Sequence, residues 1–201
     1  EFADIDFDVA GSASDIVANA SDLSGASIVT VTDIAGASEG AVLNALEVSL
    51  VGDDSQADVL FNVEDSASAV ASELAGDNAV LNNAESLVVD GGDTDMVGAS
   101  DIHGFTSNDS GALSYTISDT AVEVLAGTDT AIDAGVSAIN VNGAVGAGVG
   151  VELGALEDAR FDTGFSSDVN FNVSDDASDI AAALAGDNAV LNNAESLVVD
   201  G

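Results

Sequence analysis

The chain has no cysteine, no proline, no tryptophan and no lysine. Without cysteine, neither disulfides nor thiolate metal sites can form. Without proline, turns fall to the 21 glycines and to Asn and Asp. Aromatic residues are only 4% of the total, so any core must be assembled from Ala, Val, Leu and Ile. That palette suits thin, regular layers better than one large globular centre. Basic side chains are nearly absent: Arg160 stands against 37 Asp and Glu, giving a formal net charge of −36. A polyanion of this kind cannot neutralise phosphates, which excludes nucleic acid as a partner and makes anionic membrane surfaces repulsive. Its self-repulsion works against compaction at low ionic strength. Saline or divalent cations are therefore expected in its native setting, since the Debye length shrinks from about 10 Å at 0.1 M to about 3 Å at 1 M. No apolar run approaches the roughly 18 residues of a membrane-spanning helix.

What is present is repetition. Residues 74–91 read LAGDNAVLNNAESLVVDG, and residues 184–201 repeat the same letters 110 positions later. With 47% hydrophobic residues and a mean hydropathy of +0.33, the chain is too apolar for disorder despite its charge. A finer period emerges from aromatic anchors at Phe7, Phe61, Tyr115 and Phe171, offset by 54, 54 and 56 residues. Each is followed by a related segment: GSASDIV, EDSASAV, SDTAVEV and SDDASDI. Four units follow, at residues 1–56, 57–110, 111–166 and 167–201, the last incomplete. The chain reads as a window of a longer array.

Within a unit the anchor alternates strictly, as in Val59, Phe61 and Val63 or Val169, Phe171 and Val173, the period of a half-buried strand. A short helix is expected next, its inward positions Ala67, Val70, Ala71 and Leu74 in one copy and Ala177, Ile180, Ala181 and Leu184 in another. Asp65, Asp119 and Asp175 fall where an N-terminal cap or first-turn acid belongs, and Gly76, Gly127 and Gly186 where the helix should stop. A second strand is expected at 28–31, 87–89, 139–141 and 197–199. Strand, helix and strand in about 28 residues suit a right-handed crossover between parallel neighbours. Residues 34–46 and 145–156 suggest a second helix and 95–102 a shorter one, while 48–51 and 161–165 read as extended. The fold class expected is α/β, a solenoid-like array of about 54-residue β-α-β(-α) repeats with parallel strands. Two closed domains of about 110 residues are the alternative.

Candidate chemistry is sparse. A nucleophilic triad would need the lone histidine, His103, as its base, and no other copy has a histidine at that place. With so many acids, a carboxylate pair at glycosidase spacing arises by chance, and almost nothing aromatic is available to stack on a sugar. Residues 143–150, NGAVGAGVGV in context, superficially resemble a phosphate-binding loop but lack its lysine, so a closely packed or flexible helix is expected there. Calcium is the possible cofactor, since hard cations take oxygen ligands from acidic, Gly-containing turns. The first candidate site is Asp90, Asp93 and Asp95 in DGGDTD.

Ser-Asp-Thr-Ala at Ser118 to Ala121, its variants at Asp65 and Asp175, the LNNAES that follows and VTVTD at Val29 to Asp33 together resemble a known class of repeat. These are the short α/β repeats of very large, acidic, lysine-poor bacterial cell-surface proteins: giant adhesins and sheath or surface-layer components. The resemblance implies an extracellular, cell-surface, structural or adhesive role and carries over no site residues. The leading expectation is a repeat segment of a filament, sheath or surface layer, not an enzyme, whose partners are copies of itself joined head to tail. A calcium-responsive adhesin that binds a surface or glycan is the alternative, and a discrete acid-pair hydrolase the remote one.

Overall fold

Alternation of apolar and polar residues becomes strand, and the three- and four-residue spacings become helix. The computed structural model describes residues 7–53, 57–75, 79–105, 110–127, 135–162, 168–186 and 190–200. Eight strands, parallel wherever a pairing is described, alternate with helices in an α/β fold. The chain divides into two units, Glu1–Asp90 with Gly104–Leu113 and Gly91–His103 with Ser114–Gly201.

In the first unit the strands β1 (Phe7–Gly11), β2 (Ala26–Ala35), β3 (Asp58–Asp65) and the part of β4 (Ser86–Thr94) up to Asp90 pair in chain order. Between them lie the helices α1 (Ala13–Ala18), α2 (Ala37–Asp53) and α3 (Ala67–Leu74). The second unit holds α4 (Met96–Gly104) as far as His103 and pairs β5 (Ser110–Asp119), from Ser114 onward, with β6 (Val136–Val145), then β7 (Asp168–Asp176) and β8 (Ser196–Asp200) in the same way. Its connecting helices are α5 (Ala121–Ala126), α6 (Ala147–Asp162) and α7 (Ala177–Gly186). Sequential parallel strands with crossovers of one hand carry all their helices on one face of the sheet. The burial pattern agrees. Val59, Phe61 and Val63 are buried, while Asp58, Asn62 and Glu64 on the opposite face of β3 are exposed.

A parallel sheet is usually covered on both faces. Here the uncovered face is held by a polar ladder instead. The Ser86 hydroxyl donates to Asn62 Oδ1 at 2.7 Å, and Ser196 repeats the bond to Asn172 at 2.6 Å. Asn170 donates to Asn140 at 2.9 Å, and Asn140 to Ser118 at 3.3 Å.

Two expectations need correction. Residues 48–51 are not extended but form part of α2, because Leu43, Leu46 and Leu50 recur at three and four and all point into the core. Val48 is exposed while Leu50 is buried, as the helical phase requires. Likewise Phe161 belongs to α6, and 163–165 lie outside the described residues. The second strands are also longer than expected. Ile34 and Ala35 extend β2, and Val145 extends β6, so the following helices begin only at Ala37 and Ala147. Both strands are irregular at matching places, between Thr30 and Ile34 and between Asn140 and Ala144. Gly143 takes φ +83 within the second irregularity, a backbone region that side chains resist.

Candidate functional site

Four aspartates at or near strand ends organise the molecule. Asp33 Oδ1 accepts the Ala13 N–H at 2.7 Å, and Asp65 Oδ2 accepts the Ala37 N–H at 3.0 Å. Asp119 Oδ2 accepts from Met96 at 3.0 Å, and Asp175 Oδ2 from Ala147 at 2.9 Å. Each donor is the first residue of a helix one strand earlier in the chain. The carboxylate thus fills an orphan donor at a helix start and places negative charge at the positive end of its dipole. Asp65, Asp119 and Asp175 use the second oxygen on the N–H of their own following residue, at 2.7–2.9 Å. They were expected near caps, but of their own helices. The residues at those cap positions are Ser66 and Thr120, and in α5 the Thr120 hydroxyl accepts from Glu123 N–H.

Glycines make room for this seam. A Cβ on Gly36 would lie 3.2 Å from Asp65 Oδ2, and one on Gly146 would lie 3.1 Å from Asp175 Oδ2. Of the expected helix stops, Gly127 caps α5 and Gly186 ends α7, while Gly76 lies outside the described residues.

A second arrangement recurs 110 residues apart. Glu47 on α2 and Glu157 on α6 each hold an Oε2 that is buried and has no hydrogen-bond partner among the described residues. Burial, then the charges of Asp58 and Glu85, pushes the Glu47 carboxyl from its ordinary 4.5 up to about 7. Burial likewise raises Glu157, with Asp168, Asp158 and Glu195 adding to it and a hydrogen bond from the Val169 backbone opposing.

The sequence candidates are dispersed among other tasks. Asp90, Asp93 and Asp95 are exposed. Asp93 accepts from the Thr116 hydroxyl, and Asp95 Oδ1 accepts the Gly98 N–H at 2.8 Å at the start of α4. His103 is exposed near the end of that helix. Among the described residues, the group of three carboxylates whose oxygens all lie within 4.8 Å of one another is Asp175, Asp176 and Asp179. Asp175 has both oxygens on backbone N–H groups. The Ser178 hydroxyl, with the Asp179 and Ser178 N–H groups, holds Asp176 below its usual range. Both act as helix-start acceptors. The residues 143–150 divide between β6 and α6, and Gly150 is the close-packed one.

The third feature is exposed apolar surface on edge strands. Leu87 and Val89 are 1% and 0% exposed, yet Leu197 and Val199, the same residues of the duplicated segment, are 44% and 55% exposed on β8. On β1, Phe7 is 37% exposed, whereas its equivalents Phe61, Tyr115 and Phe171 are buried. Among the described residues no helix is long and apolar enough to cross a membrane. No protein-family model and no characterised protein matches the chain.

Proposed function

We propose that the chain is a structural segment of an extracellular, cell-surface assembly. In this reading, solenoid-like α/β units of about 54 residues stack head to tail into a filament, sheath or surface layer. The observation that carries it is the contrast between buried Leu87 and Val89 and exposed Leu197 and Val199 in identical sequence. An edge strand with apolar residues invites a further strand. Phe7 on β1 offers a complementary apolar edge, and joining unlike edges gives a heterologous contact that propagates. No reaction, catalytic residue or obligatory cofactor is assigned.

Magnitudes bear on how such a joint forms. Fully burying a Leu, Val or Phe side chain contributes about 1.5–3 kcal/mol, and these residues are already about half covered. Association of separate copies costs about 4–15 kcal/mol before any gain. Three half-buried side chains and one strand ladder therefore make a weak joint between separate copies, and a firm one when both units lie on one chain. The charge of −36 weakens it further unless salt screens it.

Sedimentation velocity in 0.1 M and 1 M salt, run beside a tandem fusion of two copies, tests the proposal. Salt-dependent oligomers, abolished by Leu197→Asp with Val199→Asp, support joining of separate copies. A tandem that melts cooperatively above the single chain, with no oligomers, supports joining along one chain. A chain that stays monomeric at both salt concentrations, with a tandem no more stable than the single chain, would sink the reading.

A further inference from the structure

We propose that Glu47 and Glu157 are a matched pair of protonation sites that fasten α2 and α6 to their sheets under mildly acidic conditions and loosen them as the solution turns alkaline. The proposal is independent of how units join. Its basis is geometric. In each unit a glutamate on the long helix buries one carboxylate oxygen without a hydrogen-bond partner among the described residues. The acid facing it from the start of the next strand is Asp58 in the first unit and Asp168 in the second. The acid facing it from the residue before the following strand is Glu85 or Glu195. Asp158, on the same helix, adds to the second cluster and is itself fixed by Asn193 Nδ2 at 3.3 Å.

The main chain of the third acid is held in place. The Glu85 N–H donates to the Phe61 carbonyl at 2.8 Å, and the Glu195 N–H donates to the Phe171 carbonyl at 2.8 Å. Each helix is likewise seated without slack. A Cβ on Gly40 would stand 2.6 Å from a Val63 methyl, and one on Gly150 would stand 2.7 Å from a Val173 methyl. An ionised glutamate therefore adds its charge to those of Asp58 and Glu85 in the first unit, or of Asp158, Asp168 and Glu195 in the second, with one oxygen shut away from water. A proton turns that oxygen into a hydroxyl and removes the repulsion.

The pH window follows from the direction of the shift. The raised folded-state value means that the folded chain holds a proton the unfolded chain has released. The stabilisation is complete below the unfolded value, near 4.5, and is lost as pH rises through about 7 for Glu47. General repulsion among the other acids follows the same trend at low salt, so the test is run at 1 M salt, where the Debye length is about 3 Å.

Thermal unfolding between pH 5 and 8.5 is compared for the unaltered chain, Glu47→Gln with Glu157→Gln, and a control, Glu64→Gln with Glu152→Gln, taken from exposed positions. The expected result is a melting temperature that falls by about 5 °C across the range in the unaltered chain and the control. The Glu47/Glu157 variant should stay level and exceed the unaltered chain at pH 8.5. Carbon-13 NMR should show two glutamate carboxyls titrating above the ordinary carboxylate range, that of Glu47 at about 7, and both signals should vanish in that variant. A variant with the same pH slope as the control, or glutamates that all titrate below pH 5.5, overturns the proposal. So does calcium that at pH 8.5 restores the acid-level stability of the unaltered chain but not of the variant, since the buried oxygens would then be cation ligands.

Discussion

Three glycines of similar sequence context behave differently, and the difference is invisible without neighbours. Gly40 and Gly150 stand where a Cβ would meet Val63 and Leu81, or Val173 and Leu191, at 2.6–3.1 Å. Gly148, two residues before Gly150 on the same helix, has open space around it. Gly150→Ala should destabilise by about 1–3 kcal/mol through overpacking. Gly148→Ala should stabilise by roughly 0.5–1 kcal/mol, because alanine restricts the unfolded chain and favours helix. Urea unfolding of the two variants checks both signs. Asp65 makes a second residue-scale case. Its two oxygens hold the starts of two successive helices, so Asp65→Ala should cost about 2 kcal/mol, more than an ordinary single cap. Asp65→Asn keeps acceptor capacity on only one oxygen and should fall between, read by the same unfolding series. The sequence placed this aspartate beside a helix start from its spacing alone. That it serves the helix of the preceding crossover depends on parallel pairing, which no local pattern encodes.

At the scale of elements, strands were the most legible, because a half-buried strand writes its period directly into Val59, Phe61 and Val63. The short helix α3 was legible for a similar reason, with Ala67, Val70, Ala71 and Leu74 all buried as their spacing implies, whereas in α7 the same spacing buries only Ile180 and leaves Ala177 and Ala181 exposed. The C-terminal half of α2 was not. Val48 and Leu50 alternate like a strand, and only the core position of Leu50 against the exposure of Val48 shows the helical phase. Helix ends set by a partner's carboxylate leave little local trace, which is why Ile34 and Ala35 read as helix while they extend β2. The carboxylate seam also yields an element-scale expectation. Asp119→Ala should weaken α4 together with β5, seen as faster amide exchange at Met96, while β7 and β8 keep their protection. Exchange that instead rises throughout the second unit would make the clamp global rather than local.

For the whole molecule, composition spoke clearly about conditions and only indirectly about role. The net charge of −36 acts on every conformation that brings acids together, so melting temperature should rise between 0.05 and 1 M sodium chloride. A flat salt response would mean that the carboxylates already lie too far apart to repel. The calcium candidates Asp90, Asp93 and Asp95 stand out by their density, and Asp93 and Asp95 accept from the Thr116 hydroxyl and the Gly98 N–H. What the duplicated segment did reveal was a surface. Its two copies carry the same residues in opposite burial. The absence of cysteine turns this into a direct test. Phe7→Cys combined with Leu197→Cys or Val199→Cys places the chain's only thiols on the two edges proposed to meet. Under mild oxidation at 1 M salt, the head-to-tail account predicts a ladder of disulfide-linked oligomers far stronger than that from a pair with one thiol moved to exposed Val122. Monomers alone, or a ladder no stronger than that control, would contradict it.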